Sequence, residues 1–176
     1  MRRERVRGLL PDLLERLLEQ SKPPLPAMAG RHAYLLSTPF RYLSPWPSRF
    51  RRLGELGIWY GGERIETACA EVGYWRGRFL MDSDGLRGQS LYVEFTVFEA
   101  RADGKALDLT RPPWNRARDS WMDPADYSAC QQMAGAARDR GVWWIRYASV
   151  RDPAHGICGA VLDPQGTAKA LEEQRA

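Results

Sequence analysis

Residues 40–76, FRYLSPWPSRFRRLGELGIWYGGERIETACAEVGYWR, constrain this chain most. Pro45 and Pro47 keep the segment after Arg41 out of helix, because proline fixes its own φ and pushes the preceding residue toward extended backbone. Gly57-Ile58-Trp59-Tyr60 then reads as a short buried strand and Gly61-Gly62 as a turn. Residues 63–80 read as a helix. Ile65, Ala68, Cys69, Val72, Trp75 and Phe79 recur at helical spacing and are expected to form its buried face. Glu71 lies on the flank of that face, one turn from Ala68 and from Trp75. A carboxylate there stands at the lip of a pocket walled by apolar groups.

The remaining segments are punctuated by proline and glycine. Residues 4–20 read as an amphipathic helix, with Leu9, Leu10, Leu13, Leu14, Leu17 and Leu18 on one stripe. That stripe can pack on the domain, which is favoured, or on another chain. Three prolines break the helix in 21–30, and 31–37 can be a short strand. In 90–100, Leu91, Val93, Phe95 and Val97 alternate as in a strand, with 105–109 as its partner through a turn at Asp103-Gly104. Arg111-Pro112-Pro113-Trp114 opens a loop. Asp123 reads as the N-cap of a helix, with Pro124 at its first position, that runs to Arg140 and ends at Gly141. Strands are expected at 142–148 and 157–162, and a polar tail, helical or frayed, at 165–176. The resulting plan is a helix and proline-rich linker at 1–30, one domain at 31–165, and a tail at 166–176. The fold class is α+β, a mixed β-sheet core with several helices. No GxGxxG or GxxxxGK[ST] turn is present, which disfavours a doubly wound nucleotide-binding fold.

Composition excludes several classes. The chain of 176 residues is 44% hydrophobic and 27% charged, as in an ordinary globular domain. No apolar run approaches the roughly 20 residues needed to span a bilayer. The basic start MRRERVRG is followed by leucines interrupted by Asp12, Glu15, Arg16 and Glu19, unlike a signal peptide. A soluble, cytoplasmic protein is expected, with no membrane partner. The net charge of +4 suits an anionic ligand or an acidic partner and does not argue for direct nucleic-acid binding. Cys69, Cys130 and Cys158 form no CxxC pair and read as reduced, buried cysteines. With only His32 and His155 besides, no metal site is expected.

The constellation suits one chemistry. In a nicotinamide dinucleotide, the bond from ribose to the charged pyridinium breaks without general-acid help, because the leaving group departs neutral. The transition state resembles an oxocarbenium ion. It calls for a carboxylate at the ribose, an aromatic face for the nicotinamide and arginines for the pyrophosphate. Glu71, Tyr60, and Arg41 with Arg49 supply these. Ser149, at a strand end, can add a hydroxyl, and Arg151 another phosphate contact.

The order of these residues resembles the RES domain family, named for an arginine, a glutamate and a serine. Its first arginine is matched by Phe40-Arg41-Tyr42. A Gly-Arg-Trp-Asn-like element is matched by Ser48-Arg49-Phe50, with Arg51 in place of the asparagine. A strand ending in tyrosine is matched at Tyr60, and an alanine–glutamate helix segment at Glu66-Thr67-Ala68-Cys69-Ala70-Glu71-Val72. The late serine is matched in Tyr147-Ala148-Ser149-Val150-Arg151, and a strand ending near proline at Ala160-Val161-Leu162-Asp163-Pro164. The resemblance covers roughly 38–165. It implies an ADP-ribosyltransferase-like fold and the toxin half of a bacterial toxin–antitoxin pair, with an Xre-like antitoxin as partner. It also implies NAD degradation by phosphorolysis or hydrolysis, with NAD as substrate, phosphate as a co-substrate in the former and no cofactor. Carried over, Arg41 and Arg49 bind the dinucleotide, Tyr60 orients the nicotinamide, Glu71 is the catalytic carboxylate and Ser149 lines the site. Alternatives are transfer of ADP-ribose to a protein, or a non-catalytic interaction protein of the same fold that docks through its leucine stripe. A homo-oligomer is compatible with either.

Overall fold

The structure, a computed structural model of the chain, describes residues 22–23 and 34–174. The leucine stripe of 4–20 and most of 21–30 lie outside the described residues. The first element, α1 (Tyr34–Ser37), is one helical turn that tightens into a 3-10 turn at Thr38–Phe40. This replaces the strand expected through residue 37. Leu36 and Phe40 are four apart and both buried, so burial here follows a helical period. Pro39 sits in the first turn, where its missing N–H has no partner to lose. Residues 41–56 form a loop, pinned by bridges between Leu43 and Leu56 and between Ser48 and Arg51.

The strand β1 (Trp59–Gly62) includes the glycine pair expected as a turn. A Cβ on Gly62 would stand 2.8 Å from the Ala68 amide nitrogen. Glycine therefore lets the strand pass directly under the helix that follows, α2 (Ile65–Asp82). Next come β2 (Val97–Ala102), β3 (Ala106–Asp108), the short α3 (Arg118–Trp121) and α4 (Ser128–Asp139). The chain ends with β4 (Trp144–Ala148), β5 (Ile157–Val161) and β6 (Thr167–Gln174). The main sheet has the order β1-β5-β4-β3. Only β3 and β4 run parallel; the other pairs are antiparallel. This is the mixed α+β architecture expected from the sequence.

Several local expectations are corrected. Residues 90–96 form no ladder, and Leu91, Tyr92, Val93 and Phe95 are exposed; their alternation has no covered face to serve. β3 does not pair with β2. It joins the edge of the main sheet, where Leu109 is buried and Leu107 packs against the core. The partner of β2 is β6, so the tail expected to be helical or frayed is a strand, held by backbone pairing that a polar sequence does not announce. The fourth helix starts at Ser128 rather than Asp123, because two aspartates cap the turns before it. The Asp123 carboxylate accepts from the amides of Ala125 and Asp126, and Asp126 accepts from the amide and hydroxyl of Ser128. Cys130 and Cys158 are buried thiols, but Cys69 is exposed.

The core lies between the main sheet and α4. Cys130, Ala134 and Ala137 form the buried stripe of the helix. They face Ile145 and Tyr147 of β4 and Ala160 of β5. Phe50, fully buried, enters from the loop and meets Tyr147 edge to face at 4.8 Å. Glu63, just before α2, takes both ends of the Arg146 guanidinium at 2.8 and 3.1 Å. The turn from β4 to β5 is built around Asp152, whose carboxylate accepts from the hydroxyl of Thr67 and the amides of Ala154 and Gly156. Among the described residues no helix is long and apolar enough to cross a membrane.

Two outcomes follow from this packing. Phe50→Ala is expected to destabilise the fold by about 3–5 kcal/mol, the usual range for truncating a fully buried aromatic, read from urea unfolding. The second concerns acid. The Thr67 hydroxyl, then the backbone amides, hold the Asp152 carboxyl below its ordinary range. Its contribution is therefore complete at neutral pH and lost as pH falls through that range, below about 4. The Tm gap between the parent and Asp152→Asn is expected to be widest near pH 7 and to narrow below about pH 4. A gap that widened with acid would contradict this.

Candidate functional site

A cavity of about 610 Å³ opens between the turn at 48–51, β1 and α2, a size suited to a small-molecule ligand. The helix contributes Glu71 together with Ala68, Val72, Trp75 and Phe79. These apolar side chains were expected to be buried in the domain. Instead Val72, Trp75 and Phe79 are 43%, 50% and 58% exposed, and Thr67 is the one buried residue of the helix. The stripe is the wall of a cleft. Glu71 stands in that wall, flanked as the sequence suggested.

Ser149 determines how Glu71 is held. Its Oγ is fully buried and accepts from the amides of Arg151 and Asp152 at 3.1 and 3.0 Å. With both acceptor positions used, its one proton points to Glu71 Oε1 at 2.6 Å. Ser149 does not itself line the cavity; it acts through the carboxylate. Burial and then the negative charge of Glu71 push the Cys158 thiol up to about 12. Cys158 therefore stays protonated at neutral pH and is no nucleophile.

Among the described residues, no acid neutralises the arginines at the cavity. Arg49, almost fully buried, donates from Nη1 to the carbonyls of Trp121 and Asp123 and lies 4.7 Å from the centre of the Tyr127 ring. Arg151 donates to the carbonyl of Pro124 and the hydroxyl of Tyr127, and stacks on Tyr74 at 3.7 Å. Arg51 and Arg76 also reach the cavity.

Arg49 rides on a tight turn in which Ser48 and Arg51 exchange backbone hydrogen bonds. The Gln131 side chain of α4 donates to both carbonyls of that turn, at 3.0 and 3.2 Å. The Tyr60 hydroxyl bonds Ser48 Oγ at 2.8 Å and accepts from the Phe50 amide. Tyr60 is 36% exposed as a residue, while burial around its hydroxyl pushes that group's pKa up.

Of the residues singled out from sequence, the fold brings Arg49, Tyr60, Glu71 and Arg151 onto one cavity, with Ser149 directly behind Glu71. Arg41 does not line it; its Nε donates to the carbonyl of Pro23 at 2.6 Å. Sequence reasoning missed Tyr127, Tyr147 and Arg76. Nothing local marks Tyr127, which follows a capped turn. Tyr147 reads as core and is core, with one edge on the cavity.

No curated protein matches the chain. The RES domain family model matches residues 25–175, a span that contains every residue of the cavity. The chain belongs to the RES domain family.

Proposed function

We propose that this RES domain consumes NAD by breaking the bond between nicotinamide and ribose. One observation supports this most. Among the described residues, Glu71 is the single carboxylate, aimed by Ser149, in a cavity whose other charged lining groups are the arginines 49, 51, 76 and 151. A ligand with a diphosphate and one electron-poor carbon satisfies both signs of charge. In this reading Arg49 and Arg151 take the pyrophosphate, and the Tyr60 ring faces the nicotinamide. Glu71 holds the ribose and offsets the positive charge that grows at its anomeric carbon. Arg41 takes no role in this assignment, since it does not line the cavity.

The C1′–N bond breaks with its electron pair staying on the pyridine nitrogen, which becomes neutral. An oxygen of phosphate or water then adds to C1′, and with water a proton is released. Stacking on Tyr74 and Tyr127 leaves the arginines their full charge, since their partners are carbonyls and rings rather than acids. We read the chain further as the toxin half of a cytoplasmic pair whose antitoxin is Xre-like. Growth arrest on expression, relieved by the co-expressed partner, tests that part.

The activity is tested by incubating the protein with NAD, with and without inorganic phosphate, and separating the products. Loss of NAD only with phosphate identifies a phosphorylase, and loss without it a glycohydrolase. ADP-ribose found only on an added protein identifies a transferase. Glu71→Gln is expected to lower nicotinamide release at least roughly 100-fold with folding intact, as removal of a transition-state electrostatic partner does. A fully active Glu71→Gln variant would refute the assignment. Arg151→Met is expected to raise KM about 10-fold or more, the loss of one charge-assisted contact, while kcat changes less.

A further inference from the structure

We propose that Thr67 and Asp152 are positioning residues that fix the place of Glu71. This rests on the reading of Glu71 as the working carboxylate. Thr67 and Glu71 are four residues apart on α2 and so share one face of it. Asp152 and Ser149 are three apart in the turn after β4. The result is two parallel rungs from helix to turn, Glu71 to Ser149 at 2.6 Å and Thr67 to Asp152 at 2.7 Å.

Both rungs share one scaffold. Ser149 Oγ accepts from the Asp152 amide, and the Ser149 amide donates to the Gly156 carbonyl. The Gly156 amide in turn donates to the Asp152 carboxylate. A Cβ on Gly156 would collide with Thr67 Oγ1 and with the Asp152 carboxylate. The turn is therefore shaped to let Thr67 in.

The helix needs such a device. Thr67 is the one residue it buries, and most of its large apolar side chains face the cavity or solvent. Its depth is set by the close approach to β1 at Gly62, but packing of buried side chains does little to set its rotation. Beyond Glu71, Tyr74 ties the helix to the same turn by stacking on Arg151, but toward the N-terminus no side chain other than Thr67 is buried. The Thr67 rung, one turn toward the N-terminus, anchors Glu71 from that side and fixes where the carboxylate meets a ligand. Displacement of a reacting group by about 1 Å can cost roughly 100-fold in rate.

The test is Thr67→Val, which keeps shape and deletes the hydroxyl, with Thr67→Ser as the conservative control. For Thr67→Val, assayed well below its Tm, kcat for nicotinamide release is expected to fall roughly 10- to 100-fold. KM is expected to stay within about threefold, since the arginines are untouched, and Thr67→Ser is expected to recover most of the loss. A purely structural role would lower Tm and leave kcat of the folded protein unchanged, which would overturn the proposal. A crystal structure of Thr67→Val supplies a readout independent of activity. The bond from Ser149 to Glu71 is expected to open beyond hydrogen-bonding distance, and its retention at the parent length would overturn the proposal. If the parent released no nicotinamide, the functional reading would fail, while this structural arm would still decide the role of Thr67.

Discussion

The hydrogen bond from the buried Ser149 hydroxyl to Glu71 joins the two halves of the molecule that make the site. On one side is a sheet with a dense core; on the other is a helix that fully buries one residue, Thr67. A hydroxyl is well suited to the junction. Two backbone amides use its acceptor capacity, so its proton has one direction in which to point. Hydrogen bonds to a charged group contribute about 1.5–3 kcal/mol, more than neutral ones. The carboxylate thus stays at the cavity with no arginine paired to it among the described residues, and its charge remains available to a ligand.

The same economy governs the cations. The arginines that build the frame are neutralised, Arg146 by Glu63 and Asp108, and Arg138 by Glu55. Arg49 and Arg151, at the cavity, form no ion pair among the described residues; carbonyls and aromatic faces hold them instead. Such partners fix a planar guanidinium by geometry and leave its positive charge uncancelled. Opposite charges are thus set across one cleft without collapsing on each other, because each is tied to its own wall.

Much of this was legible in the sequence where a residue's local pattern and its tertiary role agree. The presence of a strand at Tyr60, though not its run through the glycine pair, the long helix after it and the flanking position of Glu71 follow from short-range spacing, and so does the end of α4 at Gly141, with its φ of 64°. What was illegible depended on distant partners. The period of 3.6 in α2 identifies a helix and an apolar stripe, but whether that stripe meets a core or an open cleft is decided by elements far along the chain. The pairing of β2 with β6 spans the domain and rests on backbone groups that every residue carries. The role of Ser149 was read as lining the site, whereas its environment makes it a support behind the carboxylate.

The turn at residues 48–51 holds its shape without a glycine. The resemblance leads one to expect a glycine and an asparagine in this element, and this chain has Ser48 and Arg51. A glycine would serve a tight turn by tolerating unusual φ, yet none of these four residues lies at positive φ. The turn closes instead through its own backbone pair and through Gln131, which binds both carbonyls from α4. Phe50, locked into the core, sets its depth. Ser48 adds what glycine lacks, a hydroxyl that reaches the Tyr60 hydroxyl at 2.8 Å and ties β1 to the turn. Arg49 is consequently aimed by three separate anchors, one in the core, one on the helix and one on the strand. Its direction into the cavity therefore rests on tertiary contacts, and one hydrogen bond couples the arginine's turn to the tyrosine's strand.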